Sequence, residues 1–170
     1  MVYIGIATIG FVVTHLFDIV SIKRIPAGLK PITWFVGSGL LAYSLLMLCL
    51  APDKLPLRAW SFWLGCVLLA MSIIPLIYSL FINLPFRKTY IETGVGDKLI
   101  KTGMYTLVRH PGVIWFIPFM LSLILVSRSS LLLIAAPIFI FLDVVLVIMQ
   151  DKFFFVRMFD GYKRTNRKRQ

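Results

Sequence analysis

Long apolar runs broken by short polar punctuation set the pattern of this chain. The first run covers 2–22 and stops at Lys23, Arg24 and Pro26. A second covers 32–50 and ends at Ala51-Pro52-Asp53, and a third covers 60–84 with Pro75 as an expected kink. The one long polar insert, PFRKTYIETGVGDKLIKTGMYTLVRH, follows. A fourth run starts at Pro111 and ends at Ser127-Arg128. A tight hairpin at SRSS leads into a fifth, 131–149, which carries Pro137. About 20 apolar residues in a helix cross a bilayer. The pattern therefore predicts an all-α fold: an integral membrane helical bundle of about five transmembrane helices, with the polar insert as a loop. Residues 1–170 form one membrane domain, with three spans in 1–84 and the loop, helical hairpin and tail in 85–170. In the tail, Phe153, Phe154, Phe155, Phe159 and Tyr162 interleave with Arg157 and Lys163. That mixture predicts an amphipathic helix lying in the interface, with simple anchoring as its plainest role.

Composition agrees. Hydrophobic residues make up 59% of the 170, where a soluble domain runs nearer half. The net charge of +11 would suggest nucleic acid in a soluble protein. Here the charges lie between and after the apolar runs, so topology and anionic membrane lipids explain them. No nucleic-acid motif accompanies them. Cys49 and Cys66 fall on two different runs and read as packed small hydrophobes, not as a disulfide framework. MVYIGIATIG has no basic leader and reads as a retained first span.

The charges also orient the bundle. Five spans put fifteen of the eighteen Lys and Arg on one side, in the 23–30 connection, the 87–109 insert and the tail from Lys152. Lys54, Arg58 and Arg128 fall on the other. The positive-inside rule then predicts a cytoplasmic loop and C-terminus.

Three polar groups stand out. Arg109-His110-Pro111 opens the fourth run, and proline suits the first turn of a helix. The uncapped amides, the helix dipole and Arg109 would together make an anion or carboxylate site. The competing reading has Arg109 snorkelling to headgroups and His110 capping the helix. Gln150 and Asp151 end the fifth run, with Asp143 about two turns earlier on the same face. An acid within the membrane is expensive and points to function, against a packing hydrogen bond or a pair with Lys152. His15 and Asp18, three residues apart, share a face of the first span. They suit a polar clamp between helices as well as a functional role. Gly94 and Gly96 form a G-x-G, but no strand or βαβ unit frames it as a dinucleotide fingerprint.

Gly103-x-Tyr105, Arg109-His110-Pro111, a helical hairpin, a polar pair, then Phe159 and Tyr162 together resemble the isoprenylcysteine carboxyl methyltransferase and phospholipid methyltransferase superfamily. The resemblance covers roughly residues 85–165, and the first three spans add only a compatible hydropathy. It implies an S-adenosylmethionine-dependent methyltransferase acting on a lipid-like or hydrophobic acceptor. It implies Arg109 and Asp151 as catalytic residues. It implies Gly103, Tyr105, His110, Pro111, Gln150, Asp151 and Tyr162 as the cofactor-binding set. The chain departs from the family's pattern in three places. Val113 stands where a tyrosine is usual, Gln150-Asp151 where two glutamates are usual, and Asp160 follows Phe159 where glycine is usual. Methyl transfer asks for alignment in a dry site more than for a strong acid or base. The alternative is a non-catalytic membrane scaffold or interaction protein built on the same fold.

Overall fold

The computed structural model describes residues 1–23, 28–84, 87–92, 103–108 and 110–154. Among these residues, six α-helices carry the fold: α1 (Val2–Lys23), α2 (Leu29–Cys49), α3 (Ala59–Ile77), α4 (Met104–Leu107), α5 (Pro111–Ser127) and α6 (Ser130–Met149). Three π-helical turns accompany them at Tyr78–Ile82, Arg87–Ile91 and Gln150–Phe154. The described residues contain no strand, only an isolated bridge between Lys54 and Ser129. Four helical segments are long and apolar enough to cross a membrane: Val2–Ser21, Leu29–Cys49, Ala59–Ile82 and Ser130–Phe153. The fifth expected span is the shorter apolar helix Pro111–Ser127. The interfacial helix expected from the tail aromatics lies mostly outside the described residues.

Burial is inverted relative to a soluble bundle. Phe35, Trp63, Met71, Ile74 and Phe141 are exposed, while buried Ser44, Ser61, Ser72, Ser79 and Ser122 sit between helices. An outer surface this apolar suits lipid, and small polar residues at the contacts let helices approach closely. Most hydroxyls turn back onto their own helix. Thr14 donates to Gly10, Ser38 to Trp34 and Ser72 to Leu68, one turn earlier in each case. The central core joins Ala7 and Phe11 of α1, Leu48 of α2, Met120 and Ile124 of α5, and Leu132, Ala135 and Phe139 of α6.

Two helix pairs dominate, α1 along α2 and α3 along α5. α1 and α2 run antiparallel and meet where a β-carbon on Gly37 would come within 2.8 Å of the Thr14 hydroxyl and 3.2 Å of the Gly10 carbonyl. α6 closes on α5 and on α1. Its Phe139 ring lies 6.1 Å from that of Phe11, and Gln150 reaches Asp18. α1 and α6 therefore run in the same direction.

The two ends of the bundle differ. At one, the 51–58 connection is zipped to the α5–α6 hairpin. Leu55 N–H donates to the Arg128 carbonyl at 2.6 Å and Ser130 N–H to the Asp53 carbonyl at 3.1 Å. Arg128 itself takes a left-handed turn, φ 54°, and the Ser129 hydroxyl caps α6 by accepting from Leu132 N–H. The other end gathers the three π-turns, α4 and the start of α5. Pro75 lies inside α3. It withholds a backbone donor, and the helix opens three residues later into a wider turn, closed by Asn83 N–H on the Tyr78 carbonyl at 2.8 Å. An aromatic group of Phe17, Trp34, Phe81 and Tyr90 packs here, its closest pair being Trp34 and Tyr90 at 4.7 Å. Buried Lys30 lies over the Phe17 ring and donates to the Glu92 carbonyl. These contacts hold 87–92 against the bundle.

The α1–α2 crossing makes a direct prediction. Gly37→Ala should destabilise the protein by about 1–3 kcal/mol, because the added methyl must push the Thr14 turn away. Gly39→Ala, with open space around it, should be neutral or slightly stabilising through better helix propensity. Thermal unfolding in one detergent compares the two.

Candidate functional site

Proline opens α5. Pro111 is its first residue and is fully buried, and His110 stands at the N-cap position. The His110 side chain does not cap the helix. Its Nε2 lies 3.0 Å from Asp151 Oδ1 instead. Residues 41 apart in sequence are thus joined across the open ends of the α5–α6 hairpin. The two side chains are 19% and 22% exposed, so the pair is partly sheltered yet within reach of a ligand. A neutral imidazole donates one proton to the carboxylate and keeps Nδ1 as an acceptor, while an imidazolium donates from both nitrogens. The His110–Asp151 contact can therefore be kept in either protonation state of the ring.

The polar pair at the end of α6 splits. Gln150 and Asp151 begin the π-turn Gln150–Phe154, and their side chains go to different helices. Asp151 meets His110 at the start of α5. Gln150 Nε2 donates to Asp18 Oδ2 on α1 at 2.9 Å. Asp18 is only 4% exposed. Asp143, on the same helix, takes part in neither contact. His15 does not bond Asp18, and its Nδ1 is buried without a partner among the described residues. Sequence spacing brings His15 and Asp18 to one face of α1. The partner of Asp18 comes from the far end of the chain and cannot be found by spacing.

Gly103 and Tyr105 do a different job nearby. Gly103 has φ 58°, and a β-carbon there would collide with the Asn83 amide. Only glycine fits both the turn and the approach. Tyr105 OH donates to the Ser79 carbonyl at 3.4 Å, and Tyr90 OH donates to the Leu80 carbonyl at 2.9 Å. Burial pushes the Tyr105 phenol up to about 12 and the Tyr90 phenol up as well. Both stay protonated donors near neutral pH, and they serve carbonyls of the π-turn that ends the third span. Gly103 and Tyr105 therefore brace the end of the third span and stand outside the His110–Asp151 contact. Asn83 and Tyr90, which sequence reasoning passed over, complete this brace.

Of the residues expected at the site, the structure brings together His110, Pro111, Gln150 and Asp151. Arg109, Tyr162, Phe159, Gly94 and Gly96 lie outside the described residues. Val113 is in the first turn of α5. No group of three metal-ligating side chains occurs among the described residues. No protein-family model, curated protein or solved structure matches the chain.

Proposed function

We propose that this chain is a membrane-embedded methyltransferase that uses S-adenosylmethionine on a lipid-like or hydrophobic acceptor, such as an isoprenylcysteine carboxylate or a phospholipid amine. The observation that carries the reading is the 3.0 Å contact of His110 with Asp151. It unites the Arg-His-Pro motif with the polar pair after the hairpin, the two groups on which the family resemblance rests.

The donor set suits the cofactor. Asp151 is a half-buried carboxylate that would hold an ammonium or ribose hydroxyls. The first turn of α5 has no side-chain cap, so its free amides and helix dipole would receive a carboxylate. Arg109, next in sequence to His110, would add a full positive charge for that carboxylate or for an anionic acceptor. His110 would orient the bound cofactor while Asp151 fixes its ring. S-adenosylmethionine would supply an electrophilic sulfonium methyl for in-line displacement. The chain's own part is then to align the reactants and keep water out. Buried Pro111, and the brace of Tyr105 on the end of the third span, would serve that end. An acceptor with a hydrophobic tail would arrive sideways between helices, since the outer surface is apolar.

With five spans and α5 as the fourth, this end of the bundle and the tail would face the cytoplasm, where S-adenosylmethionine is found. The asymmetry of fifteen basic residues to three supports that orientation. A second reading, a scaffold without cofactor affinity, is favoured by Gln150, which stands in the polar pair as a neutral amide engaged with Asp18.

Calorimetric titration of the purified protein with S-adenosylhomocysteine separates the two. The methyltransferase reading expects binding, weakened roughly tenfold to a hundredfold by Asp151→Asn through loss of a charged hydrogen bond. Arg109→Ala should weaken binding while leaving the thermal transition nearly unchanged. Absence of binding by wild type would favour the scaffold. Equal affinities for wild type and Asp151→Asn would remove Asp151 from the site.

Orientation is checked separately. With Cys49 and Cys66 replaced by alanine, Asn166→Cys should be shielded from impermeant thiol reagents in intact cells and Lys54→Cys should be labelled. The reverse pattern would put the site out of reach of a cytosolic cofactor.

A further inference from the structure

We infer that Asp18, on the first helix, is a positioning residue for the His110–Asp151 pair and acts through Gln150. Three observations converge on it. Asp18 is 4% exposed inside an apolar span, where an acid is costly and calls for a partner. That partner is Gln150, whose Nε2 donates to it at 2.9 Å. Gln150 is also the first residue of the π-turn whose second residue, Asp151, meets His110 at 3.0 Å.

A single π-turn at a helix end is not held by a long hydrogen-bond ladder of its own. Its shape is set by what its side chains grip. Here two consecutive residues grip two different helices, α1 through Asp18 and the start of α5 through His110. Releasing the first grip leaves the turn free to rotate, and Asp151 turns with it. Because Asp18 Oδ2 accepts from Gln150 Nε2, the contact also fixes which end of the Gln150 amide faces α1. The Gln150 oxygen is then the end that remains for a ligand. The first span, outside the region of family resemblance, thus becomes part of the site. Among the described residues, the other titratable groups on this α1–α6 interface are His15, beside Asp18 on the same face, and Asp143, on the face of α6 that carries Phe139 and Gln150. Neither joins the two hydrogen bonds.

The test uses the full chain in detergent and reads His110 directly by NMR with labelled histidine. The chain has two histidines, and a His15→Phe spectrum assigns them. A carboxylate 3 Å away favours the imidazolium, so Asp151→Asn should lower the His110 titration midpoint. Asp18→Leu should move the midpoint downward most of the way to that of Asp151→Asn, although position 18 does not touch His110. The pair Asp18→Asn with Gln150→Glu reverses donor and acceptor and should return the midpoint to the wild-type value or slightly above it. Gln150→Met breaks the same hydrogen bond from the other end and gives the same downward shift should Asp18→Leu fail to fold. An unchanged midpoint in Asp18→Leu or Gln150→Met, with only a lower melting temperature, would make Asp18 a plain structural pin and overturn the inference. S-adenosylhomocysteine affinity is a separate readout, expected to fall roughly three- to thirtyfold in Asp18→Leu. If wild type binds none, the methyltransferase reading fails, while the His110 midpoint still decides the role of Asp18.

Discussion

Hydrocarbon offers a backbone no hydrogen-bond partner, and each unpaired group there costs several kcal/mol. Most of this structure can be read as an answer to that constraint. Side-chain hydroxyls of Thr8, Thr14, Ser38 and Ser72 fold back onto carbonyls of their own helices. Where Pro75 disturbs the third span, the following turn widens, and phenols from outside the helix serve its carbonyls. At the opposite end, the backbone of 51–58 pairs with the hairpin before α6 begins. Apart from these repairs, irregular structure is confined to the ends of the bundle. Polar chemistry therefore concentrates where the helices stop, and there His110, Gln150 and Asp151 are found.

Much of the bundle was legible because its signals are local. Apolar runs closed by Pro52, Pro111 and the SRSS hairpin give helix positions within a few residues of those found. Pro111 read correctly as a first-turn proline because that preference depends on one missing N–H. The π-turns were not legible. No hydrophobic periodicity records them, and the side chains and carbonyls they present are met by partners outside the turns. The side-chain cap expected of His110 failed for a related reason. A carboxylate at Asp151, brought by α6, competes for the imidazole and wins it.

The candidate site was legible as a list of residues but not as a wiring diagram. Spacing places Gln150 and Asp151 side by side and suggests that they work as a pair. At a helix end, neighbours in sequence project in different directions, and these two reach α1 and α5. Gly103 and Tyr105 lie close to His110 in sequence, yet their contacts run to Asn83 and Ser79 at the end of the third span. One stretch of motif thus serves two ends. Its first half braces the helix termini, and its second half sets His110 against Asp151. Spacing alone cannot divide those roles, because both require the same residues to be near the same helix ends.

The amide at Gln150 acquires a physical meaning once Asp18 is seen beside it. The resemblance leads one to expect adjacent acids at 150 and 151. A glutamate at 150 would set its carboxylate against that of Asp18, which is 4% exposed and 2.9 Å from the present amide nitrogen. Like charges at that distance in a poorly solvated site repel strongly, and one of them would have to bind a proton or move away. Either change would loosen the π-turn that presents Asp151. An amide at 150 replaces that conflict with a hydrogen bond and leaves the acids Asp18 and Asp151 on opposite sides of the turn. Residues 18 and 150 are therefore coupled choices. An acid on the first span favours a donor at the end of α6, and the departure at Gln150 is best understood as one half of that pair.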